Sequence, residues 1–302
     1  MLEVVLLGTG GTVPLPDRWL TSCLLRWNGT SLLIDCGEGT QITLHKEGYS
    51  CKQIDTILIT HFHADHIAGL PGLLLTMAKS DRTEPVTIIG PKGLDEILQG
   101  IFVIARYVPF EIRYIEADDP EQIYTVNDLQ IRSFPVRHSV PCLGYSFTLK
   151  RSRKFDRDKA EELQIPVRFW GKLQKGKTIE ENGITYTPDM VLGEERKGIH
   201  MVYATDTRPC PALEKAAEHA DLLITEAMYG DPEKLDKAKK NKHMMMQEAA
   251  MTAAAANVKE LWLTHYSPSM PDPHIYEEQV KEIFADTVIS HDGQHKDLAY
   301  GD

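Results

Sequence analysis

Cysteine is scarce. The 302-residue chain has five, at positions 23, 36, 51, 142 and 210, and no two form a Cys-x-x-Cys pair. That excludes a disulfide framework and a cysteine-built zinc knuckle, and predicts buried, reduced thiols in a cytoplasmic protein. Long apolar runs are missing too. Val4–Leu7 and the run around Ile57–Thr60 are strand-length, far short of the ~18–20 residues a membrane span needs. Met1-Leu2-Glu3-Val4-Val5 enters a strand-like run with no basic leader, so no signal peptide is expected. Positive charge is in short supply: 33 Lys and Arg against 44 Asp and Glu leave a net −11. Taken whole, that figure argues against a nucleic-acid partner. Apolar residues are not lacking. At 42% hydrophobic and 25% charged the chain is globular, and its length suits one large α/β layer structure, a single domain over 1–302.

Short β-rich runs recur between turns and helical patterns. Strands are predicted at Leu2–Gly8, Ser22–Trp27, Ser31–Asp35, Ile54–Thr60 and Val86–Ile89, with Asn28-Gly29 as a hairpin turn. Helical periodicity marks Ile67–Lys79 and Gly93 to about Ile104. β-like pieces follow around Glu111–Glu116, Gln122–Val126, Leu129–Val136 and Leu143–Leu149. A second alternation runs from His200–Thr205 through a helix at Pro211–His219, Leu222–Thr225, one long helix ending near Asn257, and Glu260–Thr264. A helix over His274–Phe284 and a strand at Thr287–Ser290 close it. Helices entering in both halves predict a layered α/β sandwich with helices covering two packed sheets.

The stretch 150–177 breaks this rhythm. Ten Lys and Arg against four Asp and Glu make it +6, leaving −17 for the rest. Most such charge blocks are solvated surface. The alternative is a protruding arm that grips a polyanion.

The most informative string is His61-Phe62-His63-Ala64-Asp65-His66, directly after an apolar run. A lone histidine is commonly a core or surface residue. Three histidines and a carboxylate in this frame arise by chance on the order of once per thousand chains of this length. Imidazole and carboxylate together suit a borderline cation such as zinc. Further ligands are expected at strand ends, where a rigid frame presents side chains. His138, Asp206 and His265 each close an apolar run, as His61 does.

These residues resemble the metallo-β-lactamase superfamily and, within it, the ribonuclease Z family of tRNA 3′-processing endonucleases. The similarity runs over nearly the whole chain. It is carried by Leu7-Gly8-Thr9-Gly10-Gly11, Asp35-Cys36-Gly37-Glu38-Gly39-Thr40-Gln41, the His61–His66 box, Val136-Arg137-His138-Ser139, Asp206-Thr207-Arg208 and Thr264-His265-Tyr266-Ser267. The resemblance implies an αββα sandwich holding two zinc ions per subunit, Mn2+ or Fe2+ being the alternatives. It places one ion on His61, His63 and His138, a second on Asp65, His66 and His265, and Asp206 between them. Asp35 would orient the box from behind. Two ions sharing a carboxylate can generate hydroxide near neutral pH and neutralise a phosphate under attack, with Asp65 accepting a proton. Protonation of the leaving oxygen would fall to Glu226 and His243. Residues 150–198 occupy the place of the family's tRNA-binding arm, with Arg168, Lys172, Lys175 and Lys177 as candidate phosphate contacts. The resemblance also implies a homodimer acting on precursor tRNA.

The sequence departs from the family pattern in four places, one being Met244-Met245-Met246 after His243, where small hydroxyl residues belong. Thr225-Glu226-Ala227-Met228 stands where a His-Glu-Ala-Thr string belongs. Ser50-Cys51-Lys52-Gln53 replaces a more basic loop, and Pro166-Val167-Arg168-Phe169 a Pro-Gly-Pro-like element. The Thr225 departure supports an alternative in which the same metal site hydrolyses a small or cyclic phosphodiester; the basic arm opposes it. A β-lactamase and a flavodiiron-type redox protein are disfavoured by the ligand set. A metal-stabilised RNA-binding module would require a missing ligand.

Overall fold

Runs of Val, Leu and Ile buried on both faces build two seven-stranded sheets in the computed structural model, which describes residues 1–117 and 121–301. The first sheet has the order β16 (His295–Leu298), β1 (Leu2–Gly8), β2 (Ser22–Trp27), β3 (Thr30–Ile34), β4 (Ile54–Leu58), β5 (Val86–Pro91), β6 (Ile112–Ala117). The second has the order β15 (Thr287–Ile289), β14 (Leu261–Thr264), β13 (Leu222–Glu226), β12 (Arg196–Ala204), β9 (Leu143–Arg151), β8 (Leu129–Pro135), β7 (Ile123–Val126). β3 to β6 pair in parallel, as do β12 to β15, while β16, β1, β2 and β3 pair antiparallel. The β2–β3 hairpin turns on Asn28 and Gly29, both at positive φ, the backbone a tight turn of this hand demands.

Helices cover both sheets. Val5, Leu7, Leu24, Leu33 and Ile57 pack with α3 (Leu70–Lys79) and α4 (Leu94–Ile104). Val202, Leu223, Leu261 and Leu263 pack with α7 (Pro211–Ala217), α9 (Met246–Ala255) and α10 (Glu277–Ile283). Alternate strand residues such as Val4, Leu6, Leu25 and Leu32 are equally buried on the opposite face. This is the expected sandwich. Short helices α1 (Thr40–Lys46), α2 (Ala64–Ile67) and α8 (Leu235–Asn241) complete it. Among the described residues no helix is long and apolar enough to cross a membrane. All five thiols are free, four of them buried.

Two expected helices are each divided. Ile67–Lys79 is interrupted at Gly69, which lies so close to the Gly37 carbonyl that a Cβ there would stand 2.1 Å from the oxygen. The long helix ending near Asn257 is α8 and α9, separated at Lys242, whose φ of +58° ends the first. The strand β16 escaped the periodicity because its segment, His295-Lys296-Asp297-Leu298, is mostly polar.

Residues 1–148 with 200–299 form one compact unit; 149–199 with 300–302 form another. The smaller unit contains α5 (Arg157–Glu162), α6 (Val167–Gln174) and the ribbon of β10 (Ile179–Glu181) and β11 (Ile184–Tyr186). Ala160, Ile165, Phe169, Leu173 and Val191 make its core. Phe169 and Trp170, which lie among the charges in the sequence, are packed rather than displayed.

Candidate metal centre

Parallel strands end level with one another, so whatever follows them converges. Ile34 pairs with Leu58, Ala204 with Thr225, and Glu226 with Thr264. Asp35, His61, Asp206 and His265 are the residues just beyond those ends, the customary place for a site in a parallel sheet. Asp35, Asp206 and His265 share a left-handed backbone, with φ of +57°, +57° and +58°. Such φ values are unfavourable for residues other than glycine and concentrate at functional sites.

The expected ligands meet in two groups, and Asp206, His243 and His265 form a third. Ligand-type atoms of His61, His63, His138 and Asp206 lie within 4.8 Å of one another, and so do those of Asp65, His66 and His265. Asp206 joins them. Its Oδ2 is 3.5 Å from His61 Nε2 and 3.7 Å from His138 Nε2, and its Oδ1 is 3.3 Å from His66 Nε2 and 2.9 Å from His265 Nε2. Asp65 Oδ2 is 3.8 Å from both His66 Nε2 and His265 Nε2. Gly11 lies against this group: a Cβ there would stand 2.6 Å from His265 Nε2.

The groups behind each ring fix its orientation. Asp35 Oδ2 accepts from His66 Nδ1 at 2.8 Å. The Thr60 hydroxyl donates its one proton to Asp35 and therefore accepts from His61 Nδ1, at 3.1 Å. The Thr21 hydroxyl donates to the Gly10 carbonyl and so accepts from His265 Nδ1, at 2.6 Å. The Lys242 carbonyl, which can only accept, is 3.2 Å from His138 Nδ1. In all four rings Nδ1 carries a hydrogen, so Nε2 is the nitrogen aimed into the centre. Buried His61 Nε2, His66 Nε2, His265 Nε2 and Asp206 Oδ1 have no hydrogen-bond partner among the described residues. Buried polar atoms in that state are rare in native proteins and call for an ion or water. The donor set is that of a divalent metal site.

Charge pulls both ways at this centre: burial disfavours a charged His66, but Asp206 and Asp35 raise its pKa well above the usual value, so a proton competes with a cation for its Nε2. Burial, reinforced by His66, pushes the His61 imidazole far below its usual pKa, keeping it neutral. Burial opposes the Asp206 charge, yet His265, His66 and His61 hold its carboxyl well below the usual range. Burial likewise opposes the Asp65 charge; His66, His265 and the Thr12 amide, 2.6 Å from Oδ2, outweigh it.

Glu226 and His243 meet at the same centre. Glu226 is fully buried at the end of β13, and its two oxygens lie 3.2 and 3.1 Å from His243 Nδ1. It also accepts from the Thr207 and Met244 amides. Burial disfavours the charged form of His243, but Glu226, assisted by Asp206, raises it to about 9. Thr225, where the family string has histidine, is buried in the sheet and donates to the Ala204 carbonyl at 2.7 Å.

The arm candidates differ among themselves. Lys172, Lys175 and Lys177 are exposed and carry no ion pair among the described residues. Arg168 is exposed but paired with Glu181. Over the whole of 150–198, twelve basic residues face nine acidic ones, a smaller excess than 150–177 alone displays. Lys52 lies in a short 3-10 turn whose carbonyl is held by the buried guanidinium of Arg82. Sequence reasoning missed Thr21, Thr60 and Thr12, which hold the ligands, and the Arg208–Glu248 pair beside His243. Adjacency to the box was the one available signal, and it applied only to Thr60.

The family described as Anti-Pycsar protein Apyc1 matches residues 2–165. A ribonuclease Z of Agathobacter rectalis is 52% identical, the alignment covering 99% of each chain. The crystal structure of the short form of human tRNase Z is 25% identical, with a TM-score of 0.70 over 98% of this chain and 99% of that one. The metallo-β-lactamase fold protein YhfI of Bacillus subtilis shares the fold, with a TM-score of 0.71 at 20% identity over 98% of both chains. On the strength of full-length identity at this level, the chain belongs to the ribonuclease Z family.

Proposed function

We propose that the protein is a zinc-dependent endoribonuclease that removes the 3′ trailer from precursor tRNA, leaving a 3′-hydroxyl. The observation that carries this reading is that His61 Nε2, His66 Nε2, His265 Nε2 and Asp206 Oδ1 are buried together without hydrogen-bond partners among the described residues. These residues fit a pair of divalent ions. His61, His63 and His138 would hold one, Asp65, His66 and His265 the other, and Asp206 would bridge. When bound, such a pair activates water near neutral pH and neutralises charge on a phosphate.

The remaining chemistry belongs to the chain. Asp65, its Oδ2 fixed by the Thr12 amide, is the carboxylate placed to accept the proton of the attacking water. His243 has Nδ1 on Glu226 and carries a proton at neutral pH. Nε2 is the nitrogen left to protonate the leaving 3′-oxygen, and Glu226 holds the ring in that orientation. Glu226 and His243 pair regardless of Thr225, so that departure does not disable leaving-group protonation. Lys172, Lys175 and Lys177 supply exposed charge for phosphates, which suits recognition of tRNA by shape. A homodimer in the cytoplasm completes the reading, on family resemblance and the supply of free thiols.

The test is direct. Purified protein is incubated with a precursor tRNA and with bis-p-nitrophenyl phosphate, each with a chelator and with zinc restored. Zinc-dependent release of the trailer with a 3′-hydroxyl on the tRNA is expected. Hydrolysis of the small ester alone would remove the tRNA assignment and leave the small-phosphodiester alternative.

A further inference from the structure

Arg208 and Glu248 have no part in the scheme above, yet they meet directly behind His243. Arg208 Nη1 donates to the His243 main-chain carbonyl at 2.6 Å and to Glu248 Oε2 at 2.7 Å, while Nη2 donates to Glu248 Oε1. Glu248 Oε2 also accepts from the Met245 amide at 3.0 Å. The two side chains are only 12% and 20% exposed, so this is no solvated surface pair.

The segment they hold is the break between α8 and α9. Its peptide groups are gripped in succession. The Lys242 carbonyl accepts from His138, the His243 amide donates to Ala238, and the His243 carbonyl accepts from Arg208. The Met244 amide donates to Glu226 and the Met245 amide to Glu248. Arg208 stands two residues beyond Asp206, so the fork ties the turn carrying that carboxylate to the segment carrying His243. A guanidinium can serve the carbonyl and both carboxylate oxygens at once; an ammonium cannot reproduce that geometry.

We propose that Arg208 and Glu248 are positioning residues for His243, a brace that sets the imidazole where it protonates the leaving oxygen. This rests on the reading of His243 given above. The brace is therefore needed when the leaving group needs a proton, and dispensable when it does not. A ribose 3′-oxygen needs one. A p-nitrophenolate leaves without.

The experiment compares Arg208→Lys, Glu248→Gln and His243→Ala in the full-length zinc-loaded protein, on precursor tRNA and on bis-p-nitrophenyl phosphate. For Arg208→Lys and Glu248→Gln, kcat on precursor tRNA is expected to fall by between tenfold and about 100-fold. KM and the rate on the small ester should stay within about twofold of wild type. Bound zinc per chain should be unchanged. In a His243→Ala background, Arg208→Lys should cause no further loss. Equal loss on both substrates, loss of zinc, or an effect that multiplies with His243→Ala would overturn the brace. Glu248→Gln, whose amide oxygen can still accept from Met245, gives the same readout should Arg208→Lys fail to fold. If His243→Ala itself slows both substrates equally, the leaving-group reading fails, which is a separate result.

Discussion

Histidine can present either ring nitrogen, and here the choice is made by what stands behind the ring. Asp35, Thr60, Thr21 and the Lys242 carbonyl each take an Nδ1 hydrogen and aim Nε2 into the centre. Such supporting contacts typically control metal affinity by 10- to 100-fold (roughly). Thr21→Val keeps the volume of a buried side chain and removes the acceptor for His265 together with the donor to the Gly10 carbonyl. Zinc affinity measured by competition with a chelating dye is expected to fall by about 10- to 100-fold, with stability lowered by about 1–3 kcal/mol for the buried polar groups left unpaired. An unaltered affinity would show that the hydroxyl does not orient His265. The ligands themselves were legible because the box is local and the distant members each close an apolar run. Thr21 was not, since its partner lies 244 positions away. The left-handed turns at Asp35, Asp206 and His265 were equally invisible: no residue type announces that backbone when glycine is absent.

At the scale of elements, the sandwich was legible and its interruptions were not. Strands covered on both faces read as continuous apolar runs, and their order in the chain separates the two sheets. Apolar periodicity, however, continues through the break between α8 and α9, because Met244, Met245 and Met246 are all buried. Nothing in that pattern marks Lys242 as the end of a helix. Its left-handed φ becomes intelligible only from the site, where the carbonyl it turns outward meets His138. The break at Gly69 has the same character, its amide donating at 2.9 Å to the Cys36 carbonyl beside Gly37. The irregular backbone is thus concentrated where ligands must be aimed, with regular strands supplying the frame.

Charge is a property of the whole molecule that misleads when summed. The net −11 hides an excess of basic residues in the smaller unit. Within that unit the number of charges is again the wrong measure, since Arg168 is paired with Glu181 and Arg153 with Asp189. The pairings were not legible because the acidic partners lie 13 and 36 residues along the chain. They give a graded expectation for tRNA binding measured against salt. Lys172→Ala, Lys175→Ala and Lys177→Ala should each weaken binding and reduce the slope of log K on log salt by roughly 0.7–0.9 per lost phosphate contact. Arg168→Ala should do less. Equal effects from all four would place the phosphate backbone on Arg168 despite its carboxylate. The central claim is that four histidines anchored through Nδ1, His63 and the two carboxylates of Asp65 and Asp206 form one two-metal phosphodiesterase centre, and it rests on metal count. The decisive measurement titrates metal-free protein with zinc while following release of the 3′ trailer from precursor tRNA. Activity is expected to rise to a plateau at two zinc ions per chain; a plateau at one, or trailer release without metal, would contradict the account.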